Sequence, residues 1–185
     1  MSQDDCVAGD PGGGVGAWRD RSLHELIAHI VATHHAGLRA ALHELQAAAA
    51  PPARPGLAGD ARWRRTGARL LQQFRTETEN HLRKEEAVLF PLIEQLERSA
   101  HAGQPAPRHP FGTLGTLITV MEQDHELTRR QLQQLAALLH EPLGVDDEIR
   151  QATRRVLADI EQDMVLHTQL EDDVLFPRTV GLESS

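Results

Sequence analysis

Four runs of apolar residues at helical spacing, parted by three Pro/Gly-rich breaks, do most to narrow what this 185-residue chain can fold into. The first run, Arg21 to Ala50, has one glycine and no proline, and carries Leu23, Leu26, Ile27, Ile30, Val31, Leu38, Leu42 and Leu45. Ser22 stands where an N-cap is expected. PPARPGLAG (51–59) ends that run. From about Asp60 to Arg98, a second stripe holds Leu70, Leu71, Phe74, His81, Glu85, Val88 and Leu92, and Pro91 within it predicts a kink or a shifted helix end. After AHAGQPAPRHPFG (100–112), a third stripe runs through Leu114, Ile118, Met121, His125, Leu132, Leu135 and Leu139. EPLG (141–144) then leads to a fourth, with Asp146 or Asp147 as its cap and Val156, Ile160, Met164, His167, Glu171 and Val174 along it. No segment alternates apolar and polar residues long enough to suggest a strand. The pattern predicts an all-α, antiparallel up-down four-helix bundle over 21–180, preceded by a flexible lead-in (1–20) and followed by a short tail (181–185).

Composition agrees and removes several functions. Aromatic residues make up 3% of the chain, with no tyrosine, so the core is aliphatic and suits packed helices. A net charge of −8 argues against a nucleic-acid partner, which needs a basic face. No stretch nears the roughly 20 apolar residues that span a bilayer, so no membrane association is expected. The beginning, MSQDDCVAGDPGGGVG, is acidic and Gly-rich, unlike a secretory leader, and the expected location is the cytoplasm. A single cysteine, Cys6, leaves no internal disulfide and no thiolate cage. Eleven histidines are the unusual component, and histidine is the commonest metal ligand.

Some of those histidines fall where the core should be. His81 and Glu85 lie on the second apolar stripe, His167 and Glu171 on the fourth, and residues four apart share a helix face. A buried carboxylate needs a partner charge or a metal. The two pairs also sit in a repeat: HLRKEEAVLFP (81–91) and HTQLEDDVLFP (167–177) share His, Glu and Val-Leu-Phe-Pro in register. Two similar segments on two helices suggest a pseudo-symmetric site in which each Glu bridges two metal ions. His125 adds a donor from the third helix. For the first helix the periodicity leaves two candidates, His34 nearer the centre of the apolar arc and His35 toward its edge. His24, His43, His101, His109 and His140 fall at helix edges or in breaks and read as surface residues. Residues 46–60 offer no candidate for a further ligand from a loop.

With these residues in place, the sequence resembles a haemerythrin-like (HHE cation-binding) domain, and within that group the di-iron proteins that repair iron centres. The resemblance covers about Trp18 to Val180 and is carried by LHELIAHIVATHH (23–35), HLRKEEAVLFP (81–91), VMEQDHELTRRQL (120–132) and HTQLEDDVLFP (167–177). It implies a haemerythrin-like bundle with iron ligands at His35, His81, His125 and His167 and bridging carboxylates at Glu85 and Glu171. It thereby favours His35 over His34. Glu77 and Asp124 match acidic positions that flank the family's site. Oxygen-carrying haemerythrins have His-x-x-x-His on the third helix, where Arg129 follows His125 here, and His-x-x-x-x-Asp on the fourth. His167 to Asp172 fits that last spacing too. Yet Glu171 stands about 40° round the helix from His167 against about 140° for Asp172. The site resembles the repair type. Full-length repair proteins carry an extra domain with a cysteine pair, and only about twenty residues precede the bundle here, with Cys6 alone among them.

The cofactor so implied is two iron ions with an oxo or hydroxo bridge, a metal suited by nitrogen and carboxylate donors. The implied function is a stress-response protein that supplies iron to damaged iron–sulfur proteins, or binds or reduces nitric oxide. The alternative from another class is a non-enzymatic module that senses or stores dioxygen or iron. A ferritin-like oxidase wants Glu-x-x-His on two helices, and only Glu122–His125 fits.

Overall fold

The computed structural model describes residues 14–48, 66–110, 112–140 and 147–184. Within them four long helices form: α1 (23–48), α2 (68–101), α3 (Leu114–His140) and α4 (147–183), with one turn of 3-10 helix, Val15–Trp18, ahead of α1. No strand occurs among the described residues, where a lone bridge between His109 and Gly112 stands in the α2–α3 connection. No described helix is long and apolar enough to cross a membrane. The expected cap at Asp146 and the beginning of the second run at Asp60 lie outside the described residues.

Ser22 caps α1 through a full capping box: its Oγ accepts from the Glu25 N–H, and the Glu25 carboxylate accepts from the Ser22 N–H. The same end of α1, and the beginning of α3, are also capped from across the bundle. Glu97 of α2, buried, accepts from the Leu23 and His24 N–H groups at 2.6 and 3.0 Å, and Glu183 of α4 accepts from the Leu114 N–H at 2.8 Å. Each carboxylate satisfies N–H groups that have no partner inside their own helix and favours the positive end of that helix's dipole.

The core has two apolar clusters, and every helix passes from one to the other. Leu23, Leu26, Ile27 and Ile30 of α1 pack with Phe90 and Ile93 of α2, Leu114 and Ile118 of α3, and Val174 and Phe176 of α4. At the opposite end, Leu38, Leu42 and Leu45 meet Phe74, Leu132, Leu135, Val156 and Ile160. Read along the chain, α1 and α3 run from the first cluster to the second while α2 and α4 run back, the up-down order the periodicity predicts. Buried histidines and glutamates occupy the level between the clusters.

Three helices are not regular at that level. Wide π turns interrupt α1 at Ile30–His35, α2 at Glu85–Leu89 and α4 at Glu171–Leu175. In α2 and α4 the turn comes just before a proline, Pro91 or Pro177, and the helix then continues. A proline ring has no N–H and crowds the carbonyl four residues back, so a wider turn there relieves the clash. The kink expected at Pro91 is therefore absorbed as a π turn. In α1 the extra residue moves the inward face by one position past Ile30, so that the face of Leu23, Leu26, Ile27 and Ile30 continues into His35 and on to Leu38, Leu42 and Leu45.

Candidate metal centre

Six side chains meet at the level between the two apolar clusters. His35, Glu85, His167 and Glu171 form one group, and His81, Glu85, His125 and Glu171 a second; within each group the candidate ligand atoms lie within 4.8 Å of one another. Glu85 and Glu171 belong to both. Each divides its oxygens between the groups: Glu85 turns Oε2 to His35 Nε2 (3.3 Å) and Oε1 to His81 Nε2 (3.2 Å). Glu171 places Oε1 3.1 Å from His167 Nε2 and Oε2 3.0 Å from His125 Nε2. His35 and His167 approach Nε2 to Nε2 at 3.2 Å.

All six are buried, and both glutamates are at 0% exposure. Yet both oxygens of Glu85 and of Glu171, and Nε2 of His81 and of His125, have no hydrogen-bond partner. Buried polar groups are almost always hydrogen-bonded, and a buried carboxylate without such a bond is costly. Divalent cations among these donors would remove that cost, so the donor set fits a two-cation centre. Without a cation the two glutamates part: against burial, His167 and His125 hold Glu171 well below its ordinary value. Burial, then the Glu171 charge, pushes Glu85 well above its ordinary value. Burial pulls His35 down to about 4, helped by His167, and it lowers His81 as well. His125 goes the other way: against the effect of burial, the carboxylates of Asp172 and Glu171 raise it to about 9.

Behind the histidines stands an outer ring of acids. His35 Nδ1 donates to Glu86 at 2.7 Å, and Arg39 grips the same carboxylate with two N–H groups at 2.9 and 3.0 Å. His125 Nδ1 donates to Asp172 at 3.2 Å. Asp124 lies 3.6 Å from His81 Nδ1 and 2.6 Å from Lys84 Nζ, and these neighbours hold it down at about 2. Such partners fix a ligating histidine's tautomer and ring plane. His167 has no acid behind it: its Nδ1 has no hydrogen-bond partner and its ring lies against that of His34 (5.7 Å between centroids, 11° between planes). His34 in turn donates to Asp163 at 2.7 Å.

Of the acids singled out in the sequence, Asp124 thus stands beside His81 and Asp172 behind His125, outside both groups of four. Glu77 bonds Gln73 and Gln131 and takes no part in the site. Glu86 went unnoticed in the sequence. Its signal was there: it follows His81 by five residues, as Asp172 follows His167.

A bundle with two buried His/Glu groups that share two carboxylates defines a class of protein, and comparison with known families gives it a name. The model of the hemerythrin HHE cation binding domain matches residues 26–110 and 116–184. The chain is 32% identical over 169 residues to the iron-sulfur cluster repair protein YtfE of Edwardsiella ictaluri, covering 89% of this chain and 69% of that one. The proteins of the same name from Enterobacter sp. (strain 638) and Escherichia coli O157:H7 are 29% and 28% identical, each over 90% of this chain and 70% of its own length. This chain belongs to the hemerythrin HHE family, whose members imply a di-iron centre of the kind these donors fit.

Proposed function

We propose that this protein holds two iron ions and supplies iron for the repair of damaged iron–sulfur clusters in the cytoplasm of stressed cells. His35 and His167 would hold one ion and His81 and His125 the other, with Glu85 and Glu171 bridging. The observation that carries this reading is the pair of buried glutamates, each offering one unpartnered oxygen to either group. The relatives named for iron–sulfur cluster repair support the activity. Damaged iron–sulfur proteins are then the macromolecular targets, and nitric oxide or dioxygen the small ligands. When bound, ferrous ions with fewer than six protein donors each supply open coordination positions for such ligands and for exchange.

The chain's own residues do the rest. Glu86 and Asp172 hold the Nδ1 of His35 and of His125, and Asp124 stands 3.6 Å from that of His81, so that each ring turns its Nε2 toward the centre. The apolar clusters above and below exclude water along the bundle axis. Held by nitrogen and carboxylate donors, the ions would compete with protons for their ligands, which gives release a route.

The test is reactivation of a cluster enzyme damaged by nitric oxide. The iron-loaded protein is expected to restore activity beyond an equal concentration of free ferrous iron. Recovery no better than that of the free ion, together with a reversible oxygenated form stable over minutes, would replace iron donation with a sensing or storage role.

A further inference from the structure

The outer ring repeats with the bundle's pseudo-symmetry, and it is broken at one place. Arg39 follows His35 by four residues and clamps Glu86, the acid behind His35. Arg129 follows His125 by the same four, and Asp172 is the acid behind His125. Arg129 does not clamp it. Its guanidinium turns along its own helix to Glu126, at 2.7 to 2.9 Å, and Asp172, one methylene shorter than Glu86, stays 39% exposed. Where the clamp is missing, a cleft of about 330 Å³ opens between α3 and α4 beside His125 and Asp172.

That cleft is acidic. Glu122, Glu126, Glu161 and Asp172 line it against the guanidinium of Arg129, which Glu126 already occupies, with His125 at its inner end. Glu122 and Glu161 make no ion pair among the described residues, while Met164 and Thr168 complete a wall of soft and oxygen donors. At roughly 30 Å³ per water, the volume takes about ten waters, enough for a hydrated divalent ion. Its inner wall includes His125, only 6% exposed, whose Nε2 is unpartnered and belongs to the second group of four. On the other side of the centre, His35 is at 0% exposure behind the Glu86–Arg39 clamp and the ring of Phe90, and His167 is covered by His34.

We propose that the α3–α4 cleft is the passage by which a ferrous ion enters and leaves the His81/His125 half of the centre, making that half the exchangeable one. This rests on the iron-donor reading above. Negative walls beside a low-dielectric core concentrate cations and speed their capture, whereas a neutral diatomic ligand gains nothing from carboxylates.

The experiment uses the iron-loaded chain and follows transfer of ferrous iron to a coloured chelator, and loading of the metal-free chain, by stopped flow. Glu122→Gln with Glu161→Gln removes two exposed charges and no candidate ligand. Iron per chain is expected to stay at the wild-type value while loading and capture both slow by about threefold or more at low salt, a difference that shrinks as salt screens the cleft. Val165→Lys, at a half-exposed position of the lining, is expected to slow both in the same way, and Glu44→Gln on the exposed side of α1 to match wild type. Wild-type rates in both cleft variants, or equal slowing by Glu44→Gln, overturn the passage while leaving iron donation standing. Unchanged iron rates with slowed nitric oxide binding also overturn it, by giving the cleft to a neutral ligand. A chain that takes up no iron overturns the donor reading itself.

Discussion

The two repeated segments, 81–91 on α2 and 167–177 on α4, differ less in what they carry than in what they face. Each brings a histidine, a glutamate four residues on, an acid five residues on and a proline that follows a π turn. Their inner geometry agrees to 0.1 Å: His81 to Glu85 is 3.2 Å and His167 to Glu171 is 3.1 Å. Their outer contacts diverge. His81 faces Asp124, the residue before His125, while His167 faces His34, the residue before His35. Glu86 is clamped by Arg39, and Asp172 is left beside an open cleft. A repeat written into two helices thus sets the centre, and the other two helices set how tightly each half is closed.

The hardest blow to this comparison comes from the shared glutamates. Glu85→Ala and Glu171→Ala each remove a donor from both groups, so metal analysis should find fewer than one iron per chain in either variant. His81→Ala and His167→Ala each strip one group only. They are expected to keep about one iron, the first losing the ion beside the cleft and the second the enclosed one. Equal loss of both ions in all four variants would mean that the halves do not fill separately.

Proton competition gives the next effect. In the metal-free protein His125 keeps its proton up to about pH 9, so an incoming cation must displace it. The sign follows directly: cation affinity rises with pH below about 9, by up to tenfold per unit for the proton on His125, and more steeply where Glu85, pushed well above its ordinary value, must lose one too. His35, held down at about 4, is already neutral over that range and contributes no slope. Titrations at several pH values, with proton release measured beside heat, check this, and a flat affinity between pH 6 and 8 would contradict it.

Exchanging the outer acids sharpens the comparison further. Asp172→Glu lengthens the acid behind His125 to the reach of Glu86, and Glu86→Asp shortens its counterpart away from Arg39. Outer-ring changes at metal sites cost about 10- to 100-fold in affinity. Glu86→Asp is expected near that range, because it loosens both His35 and its clamp, while Asp172→Glu should weaken binding little and slow iron exchange. The smallest effect is expected at Pro91→Ala and Pro177→Ala. Each restores an N–H that a regular helix could use, at a position just past the centre, and should shift the thermal midpoint by only a few degrees, about 1 kcal/mol, with iron content unchanged.

Much of this was legible in the sequence because it follows from residue type and period. The four stripes marked four helices, and the doubled His-x-x-x-Glu on buried faces marked the level of the centre. Regular periodicity could not choose between His34 and His35, because it assumes 3.6 residues per turn and α1 departs from that at Ile30–His35. The resemblance favoured His35, and the structure places that residue in the first group of four while His34 packs on His167. Pro91 announced a disturbance but not its form. Glu86 was overlooked for a different reason: a half-exposed acid beside a buried one reads as a solvated charge until the partner helix supplies His35 and Arg39.

The most direct test of the centre is the iron content of the wild-type chain, reconstituted with ferrous iron without oxygen and freed of excess metal. Two irons per chain are expected, since two groups of four donors share their carboxylates. One iron per chain or fewer, with the bundle intact by circular dichroism, would contradict a shared two-ion centre at Glu85 and Glu171.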